Sequence, residues 1–358
     1  MKLELIITTV FVFAFFLSGC TKSSQTETER LFGKIIQSDS VFTRAYPKFL
    51  KGDTLISSTW SKDANYCVSV FRNDSIITLG DVFLKGHGQG EYMDVALCVD
   101  KTTMSVFDIE MGSGHPIAYL KMPVSNALAR QHQDSPRLKK FPEMDALRFV
   151  NNSFVETKDG MLLIAGTTWK DPEHIMSLID PATDRIIGID YWPEDEYKGL
   201  PLPKNGVYTD NARIFRNGDK YLYKCGEERF AFIFTLKGEK LHLEKKLFDE
   251  LPVYEAAPDG LNYNLKKRSI RSMEVDANAH NIYVLLEEKT ASGSEPSNWT
   301  ESGWGNQVMA FNWSGNLERV IELDHLGTNI KVSFNNKKLY LFSEDVNTDE
   351  KMIIYYDL

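Results

Sequence analysis

The sequence predicts an all-β protein, a six-bladed β-propeller made of four-stranded antiparallel blades. Its apolar segments are short, rich in Val, Ile, Phe, Tyr and Thr, and separated by turns at Gly, Asn or Asp. Segments of this kind are typical of β-strands, whereas long amphipathic helix patterns are scarce. The segments also recur as a larger unit, in the order strand, strand, turn, strand, and this repeat favours a propeller.

The clearest copy of the repeat lies near the C-terminus. Its strands are residues 281–286, 307–313 and 317–323, and residues 314–316 form the turn. Earlier copies contain the strand pairs 67–71 with 75–79, 175–180 with 185–189, and 230–236 with 241–243. The turn marks recur on average about every 57 residues, close to the length of a long propeller blade, at Asp74, Asp108, Thr183, Gly238, Gly315 and Asp357.

Six such units fit the length that follows the N-terminal segment. A four-stranded blade cannot bury both faces by itself, so blades stack around a common axis. The alternative is a β-sandwich or two small β domains, but the repeat of a three-strand unit favours the propeller. The last copy ends at Leu358 without a fourth strand. We therefore expect a strand from residues 31–46 to close the ring.

The N-terminus predicts a lipoprotein signal peptide. A basic start at Met1-Lys2 precedes the apolar run 5–17, and Leu17-Ser18-Gly19-Cys20 resembles a bacterial lipobox. The run is shorter than the roughly 20 residues that a transmembrane helix needs, so we interpret it as a cleaved signal. An ordinary secretory signal or a buried helix is the alternative.

This interpretation gives three segments: a signal peptide at 1–19, a flexible tether at 20–30 and the propeller at 31–358. The tether is predicted from its polar composition. Acyl chains on Cys20 would bind the lipid bilayer. We therefore expect a lipid-anchored protein of the cell envelope, at the outer membrane and on its periplasmic or surface face.

The net charge and the cysteine content of the chain limit the classes of partner and of cross-link that we expect. The formal net charge is −9 and the pI about 5.4, which argues against nucleic acid because phosphate binding needs a basic surface. Besides Cys20, the chain has Cys67, Cys98 and Cys225, with no metal-like spacing. One disulfide is an option in an oxidising envelope, but we favour single buried thiols.

Two motifs resemble those of a known group. Residues 85–92 read Lys85-Gly86-His87-Gly88-Gln89-Gly90-Glu91-Tyr92, and residues 311–315 read Phe311-Asn312-Trp313-Ser314-Gly315. They are similar to a first-blade glycine motif and a late blade turn of the TolB-like six-bladed propeller lipoproteins of Bacteroidetes. The proline usual in the first motif is missing here. The resemblance implies the fold and the envelope location rather than a reaction.

The most site-like stretch is the glycine-rich loop 86–92. Its glycines allow close backbone approach, and His87, Gln89, Glu91 and Tyr92 are candidate ligand-binding residues. The spacing is not that of a dinucleotide fingerprint. The alternative is a crossover between blades that needs glycine for its geometry.

A long polar insertion at 287–306 carries two further candidates, Trp299 and Trp304. Exposed tryptophans suit sugar or peptide surfaces, although both rings could instead pack on the adjacent blade. Residues 191–197 form an acidic aromatic loop that we interpret as decoration of a blade end.

No catalytic residues are assigned. The seven histidines lack metal-binding spacing, and neither a nucleophile elbow nor a Walker loop is present. We expect no cofactor, although an axial Ca²⁺ held by residues from several blades, as in lactonase-like propellers, would leave no local motif.

The sequence favours a non-enzymatic binding module for a glycan, a peptide or a partner protein. The first alternative is a metal-dependent propeller hydrolase or lyase of the lactonase-like kind. The second is a scaffold that tethers an envelope protein complex.

Overall fold

The computed structural model describes residues 27–38, 45–59, 62–72, 74–88, 91–100, 103–109, 116–128, 139–140, 147–148, 154–165, 167–168, 173–183, 185–226, 228–265, 271–288, 304–344 and 351–358. These residues form six antiparallel sheets arranged as a ring, so the predicted six-bladed β-propeller is confirmed. Within the described residues, no helix is long and apolar enough to cross a membrane.

Two strands precede the blades: β1 (Thr28–Leu31) and β2 (Lys34–Ser38). Blade 1 contains β3 (Ala45–Lys51), β4 (Thr54–Thr59), β5 (Ala64–Arg72) and β6 (Ser75–Leu84). Blade 2 contains β7 (Asp94–Asp100), β8 (Thr103–Ile109), β9 (Pro116–Pro123) and β10 (Lys139–Lys140), with helix α1 (Val124–Leu128) after β9.

The short strand β11 (Leu147–Arg148) precedes blade 3 and pairs with β14 (Thr167–Thr168). Blade 3 itself contains β12 (Phe154–Glu156), β13 (Leu162–Ala165), β15 (Met176–Asp180) and β16 (Arg185–Gly188). Helix α2 (Pro201–Thr209) connects it to blade 4, which contains β17 (Arg213–Asn217), β18 (Lys220–Lys224), β19 (Phe230–Lys237) and β20 (Lys240–Asp249).

A hairpin of β21 (Tyr254–Ala256) and β22 (Tyr263–Leu265) leads to blade 5. That blade contains β23 (Arg271–Ala277), β24 (Asn281–Glu288), β25 (Gly305–Asn312) and β26 (Leu317–Gly327). Blade 6 contains β27 (Asn329–Val332), β28 (Lys338–Glu344) and β29 (Lys351–Asp357).

The N-terminal strand β2 closes the ring as the fourth strand of blade 6. Lys34 pairs with Tyr355 and Ile36 with Ile353, antiparallel to β29. This confirms the ring closure predicted for residues 31–46. The far end of β2 also pairs with blade 1, where Gln37 lies opposite Ser75.

The strand β1 adds a parallel fifth strand to blade 5, with Thr28 opposite Val320. It begins inside the segment 20–30 that the sequence predicts as a tether. Cys20 lies outside the described residues.

The first strand of each blade lies at the axis, because β12 contacts β7 and β17, and β27 contacts β23 and β3. Antiparallel strands place successive connections at alternate faces of the ring. We call the face with the turns after the first and third strands the turn face, and the opposite face the loop face. Gly218 and Gly238 lie in tight turns of the turn face with φ of 63° and 62°, which glycine adopts without strain.

Apolar side chains pack between neighbouring blades all around the ring, in five clusters. One example is Phe107 of blade 2, which packs edge-on against Phe154 of blade 3 with ring centroids 4.9 Å apart. Full burial of such a side chain contributes roughly 1.5–3 kcal/mol. Cys67, Cys98 and Cys225 are buried thiols within this packing.

Candidate functional site

The inner strands bring charged residues together at the axis. Successive residues of a strand face opposite sides, so Glu274 and Asp276 alternate with apolar neighbours on β23, as Lys331 does on β27. We call the following residues the axial cluster: Lys48, Asp94, Arg213, Lys224, Glu274, Asp276, Asn329 and Lys331.

Glu274 is the best-partnered member of the axial cluster. Its Oε1 lies 3.3 Å from Nη2 of Arg213 and accepts a hydrogen bond of 3.0 Å from Nδ2 of Asn329. Burial opposes ionisation of Glu274, but Arg213, Lys331, Lys224 and Lys48 outweigh it and lower the pKa of this carboxyl group. Glu274 therefore stays a carboxylate that holds three blades together.

Asp276 and Lys331 are coupled more loosely. Asp276 accepts a hydrogen bond of 2.7 Å from the backbone N–H of Val332, while its other oxygen lies 3.9 Å from Nζ of Lys331. Burial raises the pKa of Asp276 even though Lys331 opposes the shift, and burial lowers the pKa of Lys331. Both charges are thus only partly compensated.

Several polar atoms of the axial cluster lack partners within the described part of the chain. Lys331 is 1% exposed, yet its ammonium donates no hydrogen bond there. Oδ1 of Asn329 is buried without a partner. The half-buried Lys48 makes neither a hydrogen bond nor an ion pair with any residue that the structure describes. Buried polar groups are normally satisfied, so such exceptions point to a missing ligand or water.

Lys48 also carries a perturbed charge. Burial, followed by repulsion from Arg213 and Lys331, lowers the pKa of Lys48 to about 8, against the attraction of Glu274 and Asp94. A ligand that supplied a negative charge beside Lys48 would favour the protonated, charged form of its ammonium group. The electrostatics of the axial cluster therefore favour an anion.

The axial cluster extends along the inner strands from their loop-face end, and Asp276 and Lys331 are the next-to-last residues of β23 and β27, towards the turn face. Asp94, Arg213 and Asn329 are each the first residue of an inner strand, and those strands begin at the loop face. Asp94 is exposed there. A ligand can therefore reach the cluster from the loop face.

The sequence-predicted residues of the glycine-rich loop lie on this face, between blades 1 and 2. His87 is exposed, and Glu91 folds back so that its Oε2 accepts a hydrogen bond of 2.8 Å from the N–H of Gly88. Tyr92 is buried against Phe83, with ring centroids 5.4 Å apart, and burial raises its pKa to about 12. Tyr92 thus packs in the core, while ligand binding by His87 and Glu91 stays a prediction.

Trp304 also lies on the loop face, but on blade 5, where it is half-buried directly before β25. The structure therefore does not bring Trp304 into the same loop cluster as His87. Gln89, Trp299 and Cys20 lie outside the described residues. The turn residue Trp313 is structural, since it is buried and its Nε1 donates a hydrogen bond of 2.8 Å to the carbonyl oxygen of Asn278.

Sequence reasoning missed the axial cluster. Charged residues that alternate with apolar ones, as in Met273-Glu274-Val275-Asp276, are the usual pattern of a strand with one wet face. The one available signal is positional, because the charges recur on the first strand of blades 1, 2, 4, 5 and 6. It becomes visible only after the blades have been aligned.

A second buried charge lies on the loop face between blades 3 and 4. The side chain of Asp195 is 4% exposed and lies 2.9 Å from Nζ of Lys204 on α2. It also accepts hydrogen bonds from the hydroxyls of Tyr208 at 3.0 Å and Tyr254 at 2.9 Å. Burial and Asp195 raise the pKa of both tyrosines. We call these four residues the Asp195 cluster, and its saturated contacts fasten α2 to the blade.

The axial carboxylates do not suit a Ca²⁺ ion. Among the residues described, no three His, Cys, Asp or Glu side chains come together as a metal site. Glu274 and Asp276 face the cations Arg213 and Lys331, whereas Ca²⁺ requires six to eight oxygen ligands and repels nearby ammonium groups. The donor set fits an anion better than a divalent cation.

Comparison with known proteins finds a solved structure that is similar in fold. No protein-family model matches the chain, and no curated protein does. A solved structure titled oligogalacturonate lyase in complex with manganese is similar over 86% of this chain and 74% of its own, at 11% sequence identity and a TM-score of 0.37. Similarity at this level carries no inference about activity, so function rests on the site itself.

Proposed function

We propose that this propeller is a non-enzymatic binding module that holds the anionic group of a ligand, a carboxylate of a glycan or peptide, at the axial cluster. The observation that carries the proposal is the under-partnered ammonium of Lys331, buried beside an unsatisfied Asn329 oxygen. An anion there gains charge-assisted hydrogen bonds without an added desolvation cost for the lysine.

The donor set explains why a carboxylate fits. Lys331 and Lys48 offer ammonium donors, Arg213 has guanidinium N–H groups beyond those on Glu274, and Asn329 offers an acceptor for a hydroxyl or amide. The described residues of the axial cluster include no serine, threonine, cysteine or histidine that could act as nucleophile or base. Binding therefore accounts for these contacts better than hydrolysis does.

We propose the cellular setting from the N-terminus. Lipidation at Cys20 would anchor the module in the bacterial envelope, and membership of the TolB-like lipoproteins of Bacteroidetes rests on the two motifs named above. The 86–92 loop and Trp304 would then contact parts of the ligand that extend beyond the axial cluster.

Isothermal titration calorimetry on the full-length protein in detergent tests the proposal. The probes are two matched pairs: glucuronate against glucose, and N-acetyl-dialanine against its C-terminal amide. We expect an acidic member to bind and its neutral counterpart to bind at least about tenfold more weakly, since a charge-assisted hydrogen bond contributes about 1.5–3 kcal/mol. Equal binding of both members, or none by any probe, would contradict the proposal.

Lys331→Met separates binding at the axial cluster from binding elsewhere. Methionine keeps an apolar stem of similar size but has no charge. We expect the acidic probe to lose at least about tenfold in affinity. The control is Lys240→Met on the exposed outer strand of blade 4, which should leave the affinity unchanged.

A further inference from the structure

A cavity lies on the turn face, at the seam where blade 6 meets blade 1. Its volume is about 510 Å³, within the range of small-molecule sites. The seam cavity is lined by Ile36, Gly52, Asp53, Phe71, Ser333, Phe334, Asn335, Lys337, Lys338, Tyr340 and Tyr355. No residue of the axial cluster lines it, although Ser333 follows Lys331 by two residues on the same strand and turn.

Aromatic rings dominate the seam cavity. Phe71 of blade 1 stacks on Tyr340 of blade 6 with ring centroids 4.5 Å apart and planes 18° from parallel. Phe334 stands in the turn after β27 and is 43% exposed. Exposed aromatic rings beside a cavity present a flat apolar surface with a polar rim, which complements the C–H face of a sugar ring.

The hydroxyl of Tyr340 is the unexplained group here. Tyr340 is only 6% exposed, yet its hydroxyl makes no hydrogen bond to any residue that the structure describes. Burial and the nearby Asp53 raise the pKa of Tyr340, so the hydroxyl keeps its proton. It therefore offers both a donor and an acceptor to an occupant of the cavity.

The lining of the seam cavity carries charges of both signs. Asp53 supplies an exposed carboxylate, and Lys337 and Lys338 supply ammonium groups. Lys338 is already engaged, since its Nζ lies 4.2 Å from the centroid of the Tyr355 ring. An ionic ligand gains little from such a lining, whereas a neutral ligand rich in hydroxyl groups meets donors and acceptors of both kinds.

We propose that the seam cavity is a saccharide-binding site for a neutral hexopyranose unit, with Phe334 under the ring face and the Tyr340 hydroxyl and the Asp53 carboxylate on its hydroxyl groups. The site exists because β2 joins blade 6 to blade 1, which brings turns of both blades to one cavity. It is independent of the axial cluster and of the anion proposed there.

Saturation-transfer NMR on the full-length protein in detergent tests this site. The probes are cellobiose, maltose and N,N′-diacetylchitobiose, with trialanine as a non-saccharide comparison. We expect saturation transfer to the ring protons of at least one disaccharide and none to the peptide. No transfer to any disaccharide, or equal transfer to the peptide, would overturn the proposal.

Three variants assign the signal to the cavity. We expect Phe334→Ala to weaken disaccharide binding about tenfold and Tyr340→Phe about fivefold, since the latter removes one hydrogen bond and keeps the stacked ring. Leu243→Ala, whose side chain is 44% exposed on β20 of blade 4, is the matched control. Because Phe334 is already exposed, its loss leaves folding intact, and undiminished binding in that variant would refute the assignment.

Lys331→Met distinguishes the two sites. Disaccharide binding at the seam should persist in that variant, because Lys331 is not among the residues that line the seam cavity. Loss of disaccharide binding there would overturn the seam site and place the sugar at the axis.

Discussion

The axial cluster and the Asp195 cluster both bury charged side chains, yet they differ in how completely those charges are paired. Asp195 receives an ammonium group and two hydroxyl groups within 3.0 Å. Lys331 is buried more deeply than Lys204 but lies 3.9 Å from its nearest carboxylate oxygen. A buried ammonium group is thus closely paired in the Asp195 cluster, at Lys204, and under-coordinated in the axial cluster, at Lys331.

This difference separates a structural role from a binding role. A saturated buried charge costs little in the folded state but destabilises it strongly when one partner is removed. An under-coordinated one already carries its desolvation cost, so its removal is tolerated, and a ligand that completes its contacts is bound favourably. Mutation of the Asp195 cluster should therefore lower the stability of the fold, whereas mutation of the axial cluster should mainly lower the affinity for the ligand.

The largest expected effect is on the saturated side. Asp195→Ala leaves Lys204 without its ion pair and two tyrosine hydroxyls without an acceptor, so we expect the free energy of unfolding to fall by about 3 kcal/mol. Urea denaturation measures it. The neighbouring exposed Glu196→Ala is the control and should change the value by less than about 0.5 kcal/mol. A small effect of Asp195→Ala on the free energy of unfolding would contradict the structural role that we assign to the Asp195 cluster.

The next effect is on the pH dependence of anion binding. The pKa of Lys48 is lowered to about 8 by burial and by Arg213 and Lys331, so the folded protein loses this charge as pH rises through 8. We expect affinity for the acidic probe to fall up to about tenfold between pH 7 and 9. In Lys48→Arg the charge persists, and calorimetry should show a smaller decline. Identical pH profiles would exclude Lys48 from the site.

A third effect, of similar size, concerns the saturated carboxylate of Asp324, which fixes the ring closure. Its Oδ1 accepts hydrogen bonds from the N–H of Gly33 at 3.1 Å and the hydroxyl of Tyr356 at 3.0 Å. We expect Asp324→Ala to lower the free energy of unfolding by about 1.5 kcal/mol, measured by urea denaturation at pH 7.

That contribution should also depend on pH. Burial opposes ionisation of Asp324, but the hydrogen bonds from His325, Gly33 and Tyr356 outweigh it and lower the pKa of this carboxyl group. The stabilisation is therefore present above the unfolded pKa and lost as pH falls through the folded one. The gap between wild type and Asp324→Ala should narrow in acid, and a constant gap would argue against the charged state as its cause.

The smallest effect is expected at Lys48, the other lysine of the axial cluster whose ammonium group lacks partners in the described part of the chain. Lys48→Met removes a half-buried ammonium that has no ion pair in the described part of the chain, so the free energy of unfolding should change by less than about 1 kcal/mol or rise. A related consequence is seen in the wild type above pH 8. There the unfolded Lys48 still binds a proton that the folded one has lost, so stability should rise with pH until the unfolded pKa is reached. Lys48→Met should reduce that rise, and Lys331, whose pKa burial also lowers, accounts for part of what remains.

The turns and the strand periodicity were readable before the fold was known. The strand–turn–strand units at 230–243 and 307–323 predicted the outer hairpins of blades 4 and 5, which the structure confirms. Ring closure was also predictable, since the last repeat lacked one strand and the N-terminal segment had apolar residues to spare. The parallel pairing of β1 with blade 5 was not, because a polar stretch such as Thr28-Glu29-Arg30 has no strand pattern of its own.

The sequence by itself determined the fold class, the repeat and the interval at which blades recur, because these follow from the local alternation of apolar residues and turns. Only the tertiary structure decided where the charges meet. Lys48, Arg213, Glu274 and Lys331 are far apart in the chain and look like surface residues of ordinary strands. The ring turns each first strand towards the axis, and it is this convergence that leaves some of their polar atoms with partners and others without.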